Sequence, residues 1–158
     1  MLVREGGGGY SSYTSSHKLN EPSVAGQSVT GQCYCGTVRF AITDFQPQLM
    51  TCHCTICQRV SAADCVSYAH SPKQNFSWLQ GQQQLNYLQT SEDTQRPFCC
   101  HCGSQMPIIY EPMNQVFVPA ALLDEVDGFK VIGHCFVRSK KPWLQLPGDE
   151  TQYEAFPG

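Results

Sequence analysis

The sequence predicts one mostly β domain made of antiparallel sheets. From Thr30 onward, short runs of β-branched and aromatic residues alternate with Gly, Pro, Asn and Ser, as in strands joined by turns. A helical period of about 3.6 residues never persists beyond a turn or two. The length of 158 residues is that of a single domain with room for a sizeable core.

The predicted elements follow from these runs in chain order. Strands are expected at residues 37–42, 48–53, 65–69, 76–80, 84–88, 105–110, 115–119 and 134–137. Short helical pieces are expected at residues 55–59 and 120–123. Residues 1–27 are rich in Gly, Ser and Tyr without periodicity, which is typical of a flexible tail. The folded domain is therefore expected at residues 28–158.

Charge and hydropathy exclude several classes of partner. The net charge is −3 and only 15% of residues are charged, so no basic surplus is present to bind nucleic acid or an anionic membrane. No apolar run approaches the roughly 20 residues that a membrane span needs, and the N-terminus lacks the apolar stretch of a secretory signal. We therefore expect a cytoplasmic protein, and the sequence leaves its oligomeric state open.

The chain contains ten cysteines, which carry most of the chemical information. They make up about 6% of the residues, below the roughly 8 to 10% that marks a disulfide-rich secreted protein. In a reducing compartment such cysteines remain thiols or become metal thiolates.

The first and last cysteine pairs have the spacing of a structural zinc site. Cys33 and Cys35 are two residues apart on an extended segment, so both sulfurs point to one face and can reach one metal at about 2.3 Å. Cys99 and Cys102, followed by Gly103, have the geometry of a zinc knuckle. Since four thiolates complete a tetrahedral shell, we expect these two pairs to share one zinc ion.

The remaining middle group consists of Cys52, Cys54 and Cys57. Three protein ligands leave one position open, which distinguishes a catalytic or ligand-binding zinc from a structural one. A zinc ion with three thiolates carries one net negative charge and favours a soft incoming thiolate. The sequence therefore predicts two zinc ions per chain, with the second open to a small thiol.

Several neighbouring residues have other interpretations. Cys100 with Cys102 offers a competing register for the last pair, although the Cys-x-x-Cys spacing favours Cys99. Strand alternation turns His53 away from its two cysteine neighbours, which favours a structural histidine over a ligand. Cys65 and Cys135 lie in strand-like runs and are interpreted as small buried hydrophobic residues.

Ordered motifs make the chain similar to a known family over roughly residues 31–157. They are residues 31–36 (Gly-Gln-Cys-Tyr-Cys-Gly), 52–59 (Cys-His-Cys-Thr-Ile-Cys-Gln-Arg), 98–103 (Phe-Cys-Cys-His-Cys-Gly), 123–124 (Leu-Asp), 134–137 (His-Cys-Phe-Val) and Trp143. With these motifs the chain resembles the GFA family, named for glutathione-dependent formaldehyde-activating enzyme, which also includes the centromere protein V domain.

The resemblance implies a fold, two metals and an activity. The fold would be similar to the Mss4-like, or β-tent, architecture, with a structural zinc on the first and last cysteine pairs and a second zinc on the middle three. The activity would join glutathione and formaldehyde into S-hydroxymethylglutathione, a carbon–sulfur lyase reaction in reverse. The chain departs from the family pattern at two positions. Ala62 stands where the family often has Gly, and Asp64 stands in a stretch that is commonly apolar in the family. Both departures bear on the shape of the pocket beside the open zinc.

Two functional hypotheses follow from these patterns. As an enzyme, the protein would bind a thiol such as glutathione to the open zinc as thiolate, which then attacks the carbon of a small aldehyde. Arg59 would hold a substrate carboxylate, unless it is an ordinary solvated surface arginine. As a non-catalytic zinc module, the protein would bind a protein partner, with the middle zinc closed by His53 or a neighbouring chain.

Overall fold

The computed structural model describes residues 27–146 and 148–157. The predicted tail at residues 1–27 lies, apart from Gln27, outside the described residues. The strands are β1 (Ser28–Gln32), β2 (Arg39–Thr43), β3 (Gln48–Cys52), β4 (Val66–Pro72), β5 (Phe76–Gln80), β6 (Leu85–Ser91), β7 (Thr94–Cys99), β8 (Ile108–Tyr110), β9 (Gln115–Pro119), β10 (Lys130–Cys135) and β11 (Thr151–Tyr153). The helix α1 spans Thr55–Ser61, and short 3-10 turns occupy Lys73–Asn75, Gln82–Gln84, Glu111–Met113, Ala120–Leu122 and Val137–Ser139.

The strands form three sheets. Their orders are β1-β2-β5 in a three-stranded sheet, β11-β10-β3-β4-β9-β8 in a six-stranded sheet, and β6-β7 in a hairpin. Strand β10 pairs parallel with both β3 and β11, whereas the other pairs are antiparallel. The predicted mostly β fold of largely antiparallel sheets is confirmed, and the six-stranded sheet is mixed only around β10.

Each predicted strand overlaps an observed one, and the bounds of β5 and β9 agree with the prediction. The prediction at residues 105–110 begins too early, because Gln105 forms only an isolated bridge with Phe98 before β8 starts. Three strands have no predicted counterpart: β1 contains Gly31, β7 contains Pro97, and β11 has three residues. Glycine and proline are both disfavoured in strands, which hides the pattern of β1 and β7, and the three residues of β11 are too few to show a pattern.

The helix α1 begins at the predicted residue and ends in a left-handed turn. Cys54 caps its N-terminus, with Sγ accepting a hydrogen bond from the amide of Cys57 at 3.3 Å. Ala62 ends the helix with φ of 49°, and its amide bonds to the carbonyl of Gln58. Glycine adopts this conformation without the Cβ penalty, which explains why an alanine here is a departure. No helix in the described part of the chain is long and apolar enough to cross a membrane.

The core lies between the three-stranded and six-stranded sheets. Phe40 and Ile42 of β2 and Val116 and Val118 of β9 are fully buried in one cluster. Cys33 and Cys99 belong to this cluster, whereas a second cluster contains Cys52, Cys57, Tyr68, Ile108 and Cys135. The two cysteine groups are therefore embedded in different parts of the core.

Candidate metal centres and active site

The first cysteine group, Cys33, Cys35, Cys99 and Cys102, comes together where β1 and β7 end. The four sulfurs lie within 4.8 Å of one another, and Cys35 Sγ is 3.5 Å from Cys33 Sγ and 3.8 Å from Cys99 Sγ. A tetrahedral zinc with Zn–S bonds of about 2.3 Å requires sulfurs about 3.8 Å apart. The separations and the all-thiol donor set therefore fit a structural zinc ion.

Two tight backbone turns shape this group. The amide of Gly36 bonds to the carbonyl of Cys33, and that of Gly103 to the carbonyl of Cys99, both at 2.9 Å. Both glycines have φ values of +73 to +74°, which side-chain-bearing residues rarely adopt. The amide of Val38 also donates to Cys33 Sγ at 3.3 Å. Such amide donors stabilise a metal-bound thiolate and orient it.

The pKa values within this group move in opposite directions. Burial raises the pKa of Cys99 to about 12. Burial also acts to raise the pKa of Cys102, but the hydroxyl and amide of Ser104 outweigh it and hold that pKa at about 6. A bound cation would deprotonate all four thiols.

The structure brings Cys99, and not Cys100, into this group. Cys100 is exposed, and its Sγ donates to Gln84 Oε1 at 3.5 Å on the outside of the turn. The competing register of Cys100 with Cys102 is not the one that the fold assembles.

The middle group, Cys52, Cys54 and Cys57, forms where β3 runs into α1. Its three sulfurs lie within 4.8 Å of one another, and no further Cys, His, Asp or Glu of the described residues joins this set. Cys52 and Cys57 are buried, whereas Cys54 is partly exposed. The geometry therefore brings together three thiols that could hold one metal ion.

His53 and Cys135 lie beside the middle group without joining it. His53 is fully buried, with Nε2 2.9 Å from Nδ1 of His134, which in turn contacts Glu150 Oε2 at 3.0 Å. His53 Nδ1 has no hydrogen-bond partner among the described residues. Cys135 lies opposite Cys52 in the sheet, and its thiol raises the pKa of Cys52. Cys65 lies outside both groups.

Two further residues contact the middle group. Arg96 of β7 is buried, with Nη2 3.4 Å from Cys57 Sγ and Nη1 3.3 Å from the hydroxyl of Tyr68. The Tyr68 hydroxyl itself lies 3.5 Å from Cys57 Sγ. The thiols of Cys52 and Cys54, with Arg96 and Tyr68, hold the pKa of Cys57 far below its usual range.

The pattern of the sequence alone does not single out Arg96 and Tyr68. Arg96 precedes a proline in a stretch without strand character, and Tyr68 resembles any aromatic residue in a predicted strand. Burial alone would lower the pKa of Arg96, but Cys57 and Tyr68 keep it raised. Burial raises the pKa of Tyr68 strongly, so the phenol stays protonated near neutral pH.

A cleft of about 390 Å³ lies beside α1, and its lining includes the exposed Arg59 and also Lys141 and Asp64. Asp64 accepts a hydrogen bond from Trp143 Nε1 at 3.0 Å, and Lys141 Nζ sits 5.8 Å from the centre of the Trp143 ring. Ala62 and Asp64, the two departures from the family pattern, both line this cleft. It therefore presents two cations and one carboxylate beside the helix that carries Cys57.

Comparison with solved structures supports the fold. A crystal structure of a Rhodobacter sphaeroides protein, determined by a structural genomics programme, has a TM-score of 0.53 and 20% sequence identity to this chain. The match covers 63% of this chain and 91% of the Rhodobacter sphaeroides chain, and at this identity it is evidence of a shared fold only.

Comparison with sequences identifies the family. No curated protein matches the chain significantly. Residues 28–139, which are most of the 158-residue chain and contain both cysteine groups, match the family described as GFA: Glutathione-dependent formaldehyde-activating enzyme. The chain therefore belongs to the GFA family.

Proposed function

We propose that the protein is a zinc-dependent carbon–sulfur lyase of the GFA type. It adds a thiol such as glutathione to formaldehyde or a related small aldehyde at a zinc ion held by Cys52, Cys54 and Cys57. The observation that carries this proposal is the group of three sulfurs within 4.8 Å of one another, a set that no further Cys, His, Asp or Glu of the described residues joins at that mutual distance. A second zinc ion, held by Cys33, Cys35, Cys99 and Cys102, maintains the fold.

The chemistry needs an activated thiol and a positioned aldehyde. A zinc ion in the middle group would supply a position where a thiol binds as thiolate near neutral pH. The thiol would release its proton to solvent on becoming a thiolate. The sulfur electron pair would then form a bond to the aldehyde carbon, the carbonyl electron pair would move to oxygen, and solvent would return a proton to that oxygen. No oxidant or reductant is required, since the product is a hydroxymethyl thioether.

The protein residues around the middle group prepare this step. Arg96 and Tyr68 face Cys57 Sγ as hydrogen-bond donors and hold this ligand in its deprotonated form. The cap at Cys54 fixes that sulfur at the start of α1. Both ligands are therefore oriented by the polypeptide before substrate arrives.

The cleft beside α1 supports a role for Arg59 in binding the thiol substrate. Glutathione carries two carboxylates and one ammonium group. In the cleft, Arg59 and Lys141 could bind the carboxylates, and Asp64 could bind the ammonium group. An arginine can hold a carboxylate through two parallel hydrogen bonds. Arg59 belongs to α1, the helix that also carries Cys57, and the two side chains project from different sides of that helix.

Cobalt-substituted protein provides the test. Glutathione should bind and change the sulfur-to-cobalt charge-transfer band, whereas S-methylglutathione, which keeps the peptide and blocks the sulfur, should leave the band unchanged. Cys54→Ser should abolish the glutathione response. Cys65→Ser, which lies outside both groups, is the matched control and should retain it.

The catalytic step requires a separate measurement. Exchange between free formaldehyde and its glutathione adduct, followed by NMR, should be accelerated by the zinc protein and by Cys65→Ser but not by Cys54→Ser. Equal affinity for glutathione and S-methylglutathione, without acceleration, would contradict the proposal and favour a non-catalytic zinc module that binds a protein partner.

A further inference from the structure

Arg96 is a buried cation with no carboxylate partner in the part of the chain that the structure describes. Only 8% of its surface is exposed, and its guanidinium contacts Thr90 Oγ1 at 3.3 Å, the Tyr68 hydroxyl at 3.3 Å and Cys57 Sγ at 3.4 Å. A buried charge is costly unless an opposite charge or a full set of hydrogen bonds compensates it. Of its three contacts, Cys57 Sγ is the one that becomes an anion when a metal is bound.

The directions of the surrounding hydrogen bonds agree with an anionic sulfur. Ser61 Oγ donates to Gln105 Oε1 at 2.7 Å, which leaves Gln105 Nε2 to donate to the Tyr68 hydroxyl at 3.2 Å. The Tyr68 oxygen thus accepts hydrogen bonds from both Gln105 Nε2 and Arg96 Nη1. Neither nitrogen can accept the hydroxyl proton of Tyr68, because both are donors only. Its own proton is left to point at Cys57 Sγ, 3.5 Å away. Cys57 Sγ therefore receives two hydrogen bonds, as suits a thiolate.

The same strand connects Arg96 to the four-cysteine group. Strand β7 carries Arg96 in its middle and Cys99 at its end. Residues three apart on a strand point to opposite faces, so Arg96 can face the middle group while Cys99 faces the other. A metal held by Cys99 would anchor the strand that positions Arg96.

Charge balance gives this arrangement a role at the middle zinc. With three thiolates the site has one net negative charge, and an incoming thiolate would raise it to two. Hydrogen bonds to Cys57 Sγ withdraw electron density from the sulfur and leave the metal a stronger acceptor. We propose that Arg96, held by Tyr68, is the positioning residue that lets the middle site accept an anionic fourth ligand in preference to a neutral one. This inference rests on the proposed function, because it requires the middle zinc to have an open position.

The test compares two probes on intact cobalt-loaded protein, 2-mercaptoethanol as the anionic ligand and imidazole as the neutral one. Arg96→Gln should weaken 2-mercaptoethanol binding at least about tenfold, which is the smaller of the effects typical when a hydrogen-bond partner of a metal ligand is removed. The affinity for imidazole should remain nearly unchanged. Arg96→Lys should recover part of the loss because it keeps the charge. Arg39→Gln, which removes an exposed arginine on β2, is the matched control and should behave as wild type.

Cobalt content is measured for each variant, so that loss of metal is distinguished from loss of thiolate selectivity. If Arg96→Gln does not fold, Tyr68→Phe keeps the packing and removes one donor, and it should also weaken only the thiol probe. If the variant binds both probes more weakly to the same extent, or binds both as wild type does, the inference is overturned while the proposed function stands. A wild-type protein that binds neither probe would overturn both, since the middle site would then be closed.

Discussion

Replacing Cys99 with serine should destabilise the protein severely, whereas the same replacement at Cys100 should be almost neutral. Cys99 is fully buried in the core, and its Sγ lies 3.8 Å from Cys35 Sγ. Cys100 is exposed, and its Sγ contacts only the side chain of Gln84 among the described hydrogen bonds. The two adjacent positions therefore form a matched pair that differs in burial and in the proposed ligation.

The expected magnitude follows from the geometry of the group. Structural zinc sites bind with about 10–16 kcal/mol, so one of four thiolates accounts for about 2.5–4 kcal/mol of folding free energy. A buried serine hydroxyl without a partner costs about 1–3 kcal/mol more. The sum of about 3.5–7 kcal/mol is comparable with the total stability of a typical domain, about 5–15 kcal/mol. Cys100→Ser should change the stability by no more than about 0.5 kcal/mol.

Urea denaturation followed by circular dichroism, together with the zinc content of each purified variant, measures this difference. Cys99→Ser should be insoluble or unfold at a much lower urea concentration, with less zinc bound. A Cys100→Ser protein that unfolds, beside a Cys99→Ser protein that keeps its midpoint and its zinc, would refute the reasoning and establish the other register.

Three further predictions test separate parts of the account. Elemental analysis should find two zinc ions per chain, because seven cysteines divide into groups of four and three; a value near one would remove the middle site. Ala62→Gly should raise the free energy of unfolding by about 0.5–1 kcal/mol, since Ala62 has φ of 49°, and Ala63→Gly is the control that should not; an unchanged urea midpoint for Ala62→Gly would contradict this. Glutathione affinity should rise up to about tenfold per pH unit below the thiol pKa of about 8.5, because a proton competes for the sulfur; calorimetry showing a flat profile would exclude thiolate binding.

The local features of the site could be predicted from the sequence. Spacing such as Cys33-x-Cys35 or Cys99-x-x-Cys102 determines which sulfurs share a face, because it depends only on the conformation of two or three residues. The runs of β-branched and aromatic residues that predict β5 and β9 are equally local. For the same reason the start of α1 at Thr55 follows from its immediate neighbours.

The surroundings of the site depend on long-range packing and could not be predicted in this way. Arg96 and Tyr68 are 28 residues apart and meet only because β7 and β4 pack near α1. Asp64 meets Trp143 across 79 residues, which makes the cleft invisible in any local pattern. The sequence pattern does not predict strand β7 because Pro97 interrupts it, yet Pro97 lies in the two-stranded hairpin opposite Tyr87.

A crystal structure of the zinc-loaded protein with glutathione, recorded at the zinc absorption edge, tests the central claim most directly. We expect two anomalous peaks per chain, one surrounded by the four-cysteine group and one bound by Cys52, Cys54, Cys57 and the sulfur of glutathione. A fourth protein ligand on the second zinc, whether His53, Cys135 or a residue of a neighbouring chain, would contradict it.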